Sequence, residues 1–210
     1  MSLSSLFSNA VLQTVALMGL GYLCAAWLGA VWICRLAGAA DPRRRGSHNP
    51  GFSNVLRLYG KRLALATLAF DAVKGMPALW LAKGIGLPVW AQGLVGLSVL
   101  LGHSYPVWHR FRGGKAVASA FGVLLVLTPP VALLCAVCWI LLAWRVRTAA
   151  IASLASAALA PLASVWLARD YVWIIIAFTV LVLVRHVWNI QRLGSGDEPH
   201  LGLSQEKRRR

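Results

Sequence analysis

Long apolar stretches, each closed off by charge, glycine or proline, set the first reading of this chain. Seven can be drawn, over about residues 10–36, 63–82, 89–105, 116–127, 131–144, 148–167 and 171–190. They lack the one-sided polar stripe with a 3.6-residue period that marks a helix lying on a water-soluble core. Several offer about 20 nearly uninterrupted apolar residues, enough for a helix to cross a hydrocarbon layer about 30 Å thick. The predicted fold class is an all-α integral membrane protein with about seven transmembrane helices. The fourth and fifth stretches are shorter, about 18 and 21 Å at 1.5 Å per residue, and meet at Pro129-Pro130. They read as a helical hairpin whose hinge stops short of the far surface.

Composition sharpens this picture. Of 210 residues 59% are hydrophobic and 13% charged, which excludes a soluble domain of this length. The net charge of +15, from 21 Lys and Arg against 6 Asp and Glu, would point to nucleic acid in a soluble protein. Here the basic residues cluster in short loops between apolar stretches, so we predict no nucleic-acid partner and a surface that meets anionic lipid. Alternating sides puts the loops at Arg43, Arg112 and Arg145, together with the tail, on one face. Under the positive-inside rule that face is cytoplasmic, giving an N-terminus outside and a C-terminus inside a bacterial cytoplasmic (inner) membrane. Residues 1–34 hold no Lys or Arg, so the first stretch reads as a span and not as a secretory signal. One membrane domain over residues 1–193 and a polar basic cytoplasmic tail over 194–210 complete the organisation.

Candidate chemistry sits in the basic loops. "HRFRGGKAVAS" (109–119) places two glycines and Lys115 at the start of a helix. It is not a nucleotide-binding phosphate loop: His109 stands where that motif's first Gly belongs, and Ala116 where Ser or Thr holds Mg²⁺. The physics beneath remains, because glycines let backbone N–H groups converge, lysine adds a point charge, and a helix N-terminus favours an anion. "GSHNPGFSNVLR" (46–57) supplies the same ingredients: glycines, Ser47, Ser53, Asn49, Asn54 and Arg57. "RHVWNIQR" (185–192) adds His186 and Asn189 on one helical face, with Arg185, Asn189 and Arg192 at i, i+4, i+7 spacing.

Other polar residues read as structural. Asp71 and Lys74 make an i, i+3 pair deep in the second stretch, expected to neutralise one another. Cys135 and Cys138 form a C-x-x-C without a nearby His or carboxylate, and are read as small buried residues. No metal and no nucleotide cofactor is expected. A His with an Asp five positions on, the acid–base pair of many glycerol phosphate acyltransferases, is missing: Ser53, Trp108, Gly114 and Gln191 follow His48, His103, His109 and His186 at that spacing. From the residues alone, an acyl-transfer enzyme, a transporter or flippase of an organic phosphate, and a lipid-binding protein without turnover all remain open.

Four motifs in order decide among them by resemblance: "DPRRRGSHNPGFSNVLR", "DAVKG", "GHSYPVWHRFRGGKAVASAFG" and "RHVWNIQRL". Over about residues 21–198 the chain resembles the bacterial acyl-phosphate:glycerol-3-phosphate acyltransferases. The resemblance implies a seven-helix membrane enzyme with a cytoplasmic site, making lysophosphatidic acid and phosphate from acyl phosphate and glycerol 3-phosphate. It implies catalytic roles for Lys115, Arg57, His186 and Asn189, and substrate binding by Ser47, Asn49, Gly51, Ser53, Gly113 and Gly114. A soluble enzyme that produces acyl phosphate is the macromolecular partner it raises. The chain departs from the pattern at four loop positions: His48 and Ala116 replace glycines, Phe52 an alanine and Ser53 a threonine. Serines of the family are also missing within residues 25–30 and near Ala149-Ala150.

Overall fold

The computed structural model describes residues 3–202, with side chains from residue 9 onward, and every regular element among them is helical. The basic end of the tail, residues 207–210, lies outside the described residues. Eleven α-helices follow in order: α1 (Leu3–Ala25), α2 (Gly29–Leu36), α3 (Phe52–Tyr59), α4 (Lys61–Val73), α5 (Met76–Gly84), α6 (Val89–Ser104), α7 (Val117–Leu127), α8 (Pro129–Val146), α9 (Ala149–Leu167), α10 (Val172–Arg185) and α11 (Val187–Ser195).

All seven apolar stretches are helical, as their composition requires, but three are interrupted. The first and last were expected to be continuous. Instead α1 and α2 meet at a 40° bend, and the last span bends by 55° at His186, between α10 and α11. The second breaks at Lys74-Gly75 but stays straight enough for Lys61–Gly84 to count as one span. With Pro129–Val146 and Ala149–Leu167, three helices among the described residues are long and apolar enough to cross a membrane, or five with the bent pairs. The 16 residues of α6 and the 11 of α7 span about 24 and about 16 Å.

The first break has a visible cause. Backbone groups freed inside lipid must find partners within the protein. The Trp27 carbonyl accepts from Lys74 Nζ at 2.9 Å, the Gly29 N–H donates to Asp71 Oδ1 at 3.0 Å, and the two side chains are themselves 2.7 Å apart. The expected Asp71–Lys74 pair is therefore structural, and its second task is to hold open the bend between α1 and α2.

Helix α6 is the hub, packed by α1, α5, α7 and α10, while α8 and α9 form an outer hairpin closed against α10. Its Val95, Val99 and Leu100 meet Leu79, Val123 and Phe178 in the main buried cluster. Lipid is as apolar as leucine, so helices associate through close packing of small residues. At Gly122 this reaches its limit: a Cβ there would run into the Ala72 carbonyl where α7 crosses α4. Outward, Leu133, Leu141, Trp166 and Trp173 are exposed, as a lipid-facing belt demands.

Candidate active site

The loop between α2 and α3 is organised by a buried amide. Asn54, on the first turn of α3, is 1% exposed. Its Nδ2 donates to the Pro42 and Arg45 carbonyls at 2.9 and 3.1 Å, and its Oδ1 accepts from the Ser47 N–H at 3.0 Å. Asp41 caps the short turn Pro42–Arg44 and pairs with Arg43 at 2.6 Å. These bonds fold the loop back on α3, so that Ser47 Oγ accepts from Arg57 Nη2 at 3.3 Å. Of the two amides read together in the sequence, Asn54 builds the loop, and Asn49 lines a cavity beneath it.

The second loop is held from both sides. The Gly113 and Gly114 N–H groups donate to the Ser104 and His103 carbonyls at the end of α6, at 3.2 and 3.1 Å. Their carbonyls accept from Arg185 Nη2 and Nε, both at 2.9 Å, with that guanidinium 4.9 Å from the Tyr105 ring centroid. A Cβ on Gly114 would overlap the His103 ring. This corrects the expectation that the two glycines offer their own N–H groups to an anion, since those groups are already used and neither residue lines the cavity. The glycines allow close approach, and the free donors come next along the chain. The first N–H groups of α7 have no partner within the helix, and Lys115 to Ala118 line the cavity.

The break at His186 changes the reading of the last motif. Arg185 does not share a stripe with Asn189 and Arg192: it turns back to the glycines, while Asn189 and Arg192 face the segment beyond α11. His186 is 2% exposed, and its Nδ1 donates to the Val182 carbonyl at 2.8 Å, which leaves Nε2 as an acceptor. Asn189 Nδ2 and Arg192 Nε donate to the Glu198 carboxylate at 2.6 and 2.9 Å.

Eight of the ten expected site residues line one cavity of about 340 Å³: Ser47, Asn49, Gly51, Ser53, Arg57, Lys115, His186 and Asn189. Gly113 and Gly114 stand behind Lys115. The cavity has two halves. Arg57, Lys115, His186 and Asn189 make a polar end, and Leu68, Phe121, Leu124, Ile140, Ile175 and Phe178 line an apolar recess among α4, α7, α8 and α10. Among the described residues neither Arg57 nor Lys115 is in a salt bridge. Burial pushes the Lys115 ammonium down to about 8; Arg192, Arg57 and Arg185 push the same way, while Glu198 opposes them. Burial also lowers Arg57, with Glu198 again opposing. Two half-buried cations outside any salt bridge, at the mouth of an apolar recess, suit an amphiphile with an anionic head. Among the described residues no group of His, Cys, Asp and Glu has the arrangement of a metal site.

A family model described as glycerol-3-phosphate acyltransferase matches residues 15–196. The chain belongs to that family. It is 64% identical over 197 residues to a glycerol-3-phosphate acyltransferase of Chromohalobacter salexigens, covering 94% of this chain and 95% of the relative. A Burkholderia ambifaria protein of the same name is 43% identical over 185 residues, covering 86% and 87%. Among solved structures, the chain resembles the integral membrane glycerol 3-phosphate acyltransferase PlsY (YgiH) in its glycerol 3-phosphate form. The TM-score is 0.83 at 33% identity, over 90% of this chain and 96% of that one. The lysophosphatidic acid form matches with a TM-score of 0.82 at 32% identity, over 90% and 95%. The expected family, the all-helical integral membrane fold class and the enzyme class hold.

For an acyltransferase of this family the departures acquire a physical meaning. His48 and Ala116 both lie in the left-handed region, with φ of +58° and +60°, a conformation that glycine adopts freely and other residues at a cost. His48 is exposed and turns to the Arg43 carbonyl at 3.1 Å, so it stays out of the cavity. Phe52 does enter, meeting Trp139 edge-on with centroids 6.0 Å apart. Ala149 and Ala150 line the wall without a hydroxyl, and the next one along, Ser153, already accepts from Trp139 Nε1 at 3.0 Å. Glu198 was not read from the sequence as part of the site, and Arg185 was read only as one member of a stripe with Asn189 and Arg192. The acidic pair beyond α11, amid so much positive charge, was the available signal for Glu198. For the clamp of Arg185 on the glycines there was none, because only the bend directs it there.

Proposed function

We propose that the protein transfers a fatty acyl group from acyl phosphate to the 1-hydroxyl of glycerol 3-phosphate, giving lysophosphatidic acid and phosphate. The observation that carries this reading is the junction of unpaired Arg57 and Lys115 with an apolar recess in one cavity. Such a cavity fits a phosphate head and an acyl tail at once. The acyl chain lies in the recess; Arg57, Lys115 and the first N–H groups of α7 hold phosphate oxygens, with Ser47, Asn49 and Ser53 closing over them. Asn189 and the acceptor nitrogen of His186 orient the glycerol hydroxyls.

The glycerol oxygen attacks the acyl carbon, a new ester C–O bond forms, and the C–O bond to phosphate breaks. The hydroxyl proton ends on the released phosphate. Both carboxylates lining the cavity are already engaged, Asp71 by Lys74 and Gly29, and Glu198 by Asn189 and Arg192. A mixed anhydride has a good leaving group, so positioning and charge neutralisation carry the catalysis.

The polar end lies with the arginine-rich loops, so the positive-inside rule directs it to the cytoplasm of a bacterial inner membrane, with seven spans, the N-terminus outside and the C-terminus within. A soluble enzyme producing acyl phosphate would then meet a basic face. The test is purified protein given acyl phosphate and glycerol 3-phosphate, with phosphate and lysophosphatidic acid measured together. One-to-one formation is expected. Phosphate without lysophosphatidic acid, or no turnover, overturns the reading, as does full activity in Arg57→Ala.

A further inference from the structure

Beneath the glycine pair lies a polar cluster that this reaction does not yet use. Lys74 places its ammonium against Asp71 Oδ1 at 2.7 Å, the Trp27 carbonyl at 2.9 Å and His103 Nδ1 at 2.7 Å. An ammonium group has donors only, so His103 accepts at Nδ1 and carries its proton on Nε2. The Asp71 oxygen that anchors the ammonium lies 3.7 Å from the same Nδ1. The tautomer is thus set from below by an ion pair that also holds the α1–α2 bend.

The other face of the ring turns toward the site. The His103 side chain is 4% exposed, yet it lines the cavity with Asp71. Its Nε2 abuts Gly114, the residue before Lys115, so closely that a Cβ there would overlap it. No carbonyl or side chain among the described residues accepts from it, its one hydrogen bond being at Nδ1. Nε2 is not one of the fully buried polar atoms that lack a partner, so its N–H opens onto the cavity, where a ligand oxygen can accept from it. The place is specific. Leu68, one turn from Asp71 on α4, already belongs to the apolar wall, so His103 stands where the cationic end gives way to the acyl recess.

We propose that His103 is a further substrate-contacting residue, donating its Nε2–H to an oxygen of the acyl phosphate at the anhydride, with Lys74 and Asp71 as positioning residues that set the tautomer. The inference rests on the acyl phosphate reading above. Both the carbonyl oxygen and the phosphoryl oxygens gain charge as the C–O bond breaks, so a fixed donor at that boundary favours the transition state.

The test compares wild type, His103→Leu and His103→Gln, the last keeping an N–H donor of similar reach. Rates are measured against acyl phosphate at saturating glycerol 3-phosphate, and glycerol 3-phosphate binding is followed by calorimetry. His103→Leu is expected to lose about 10²–10³-fold in kcat/KM for acyl phosphate, His103→Gln to stay within about tenfold of wild type, and both to bind glycerol 3-phosphate normally. A lower kcat assigns the bond to the carbonyl oxygen, a higher KM to a phosphoryl oxygen. Wild-type kinetics in His103→Leu overturn the proposal, as does equal impairment of both variants with glycerol 3-phosphate binding lost. Where neither variant folds, ¹⁵N-histidine spectra of wild type decide: the Nε2–H tautomer is expected, with a shift on adding a non-hydrolysable acyl phosphonate, and the opposite tautomer or no response overturns it. If wild type itself shows no turnover, the proposed function fails first.

Discussion

Lys115 offers the sharpest test of the site, because the proposed reaction requires a charge that its surroundings make precarious. An ammonium lowered from 10.5 to about 8 by burial and by neighbouring arginines carries about 3 kcal/mol of bias against its charged form. It is therefore about nine-tenths protonated at pH 7 and about one-tenth at pH 9. In the proposed reaction the protonated form holds phosphate, so activity is expected below this pKa and lost as pH rises through it. The glycerol 3-phosphate dianion forms near pH 6 and cannot produce an alkaline limb. We expect kcat/KM for glycerol 3-phosphate to fall about tenfold between pH 7 and 9. The kcat profile should bend at higher pH, since a bound dianion raises the pKa of a neighbouring cation. Initial rates of lysophosphatidic acid formation across pH 6.5–10, corrected for spontaneous acyl phosphate hydrolysis, provide the measurement. Lys115→Arg stays charged throughout and should lose the limb, whatever its absolute rate. A flat wild-type profile to pH 9.5, or the same limb in Lys115→Arg, would refute the argument.

Three other outcomes follow from the geometry. Glu198 is the group that raises the Lys115 pKa, so Glu198→Gln should move the alkaline limb to lower pH, and an unmoved or upward-shifted limb counts against its place beside the cations. Gly114→Ala puts a methyl group into the His103 ring and should cost about 1–3 kcal/mol of stability along with most activity, read by thermal denaturation beside turnover; an unaffected variant would deny the close approach. His48→Gly relieves a left-handed backbone at an exposed position while freeing the unfolded chain. Stability should change by no more than about 1 kcal/mol with turnover retained, and loss of activity would mean that His48 reaches the substrate.

Membrane class, all-helical fold and eight of the residues that line the cavity were legible in the chain. Uninterrupted apolar stretches leave the backbone no option but helix in lipid; glycines with cations in two basic loops pointed toward an anion, and the family resemblance named the residues. What the loops do inside was not legible. Gly113 and Gly114 look like phosphate donors in one dimension, yet their N–H groups close onto α6 and their carbonyls onto Arg185, a residue 71 positions from Gly114. Asn54 and Asn49 are the same residue type five positions apart, and only one builds the loop.

The three breaks in the helices account for most of this division. Hydrophobicity is a property of each residue and sums locally, so the number and nature of the apolar segments can be read from sequence. A bend depends on which freed backbone groups find partners across the bundle: Lys74 and Asp71 answering Trp27 and Gly29, or His186 returning to Val182. Those partners come from other helices or from the far side of a turn. Only the assembled tertiary structure therefore decided that Arg185 clamps a loop, that Glu198 joins the cations, and that His103 meets the cavity at its waist.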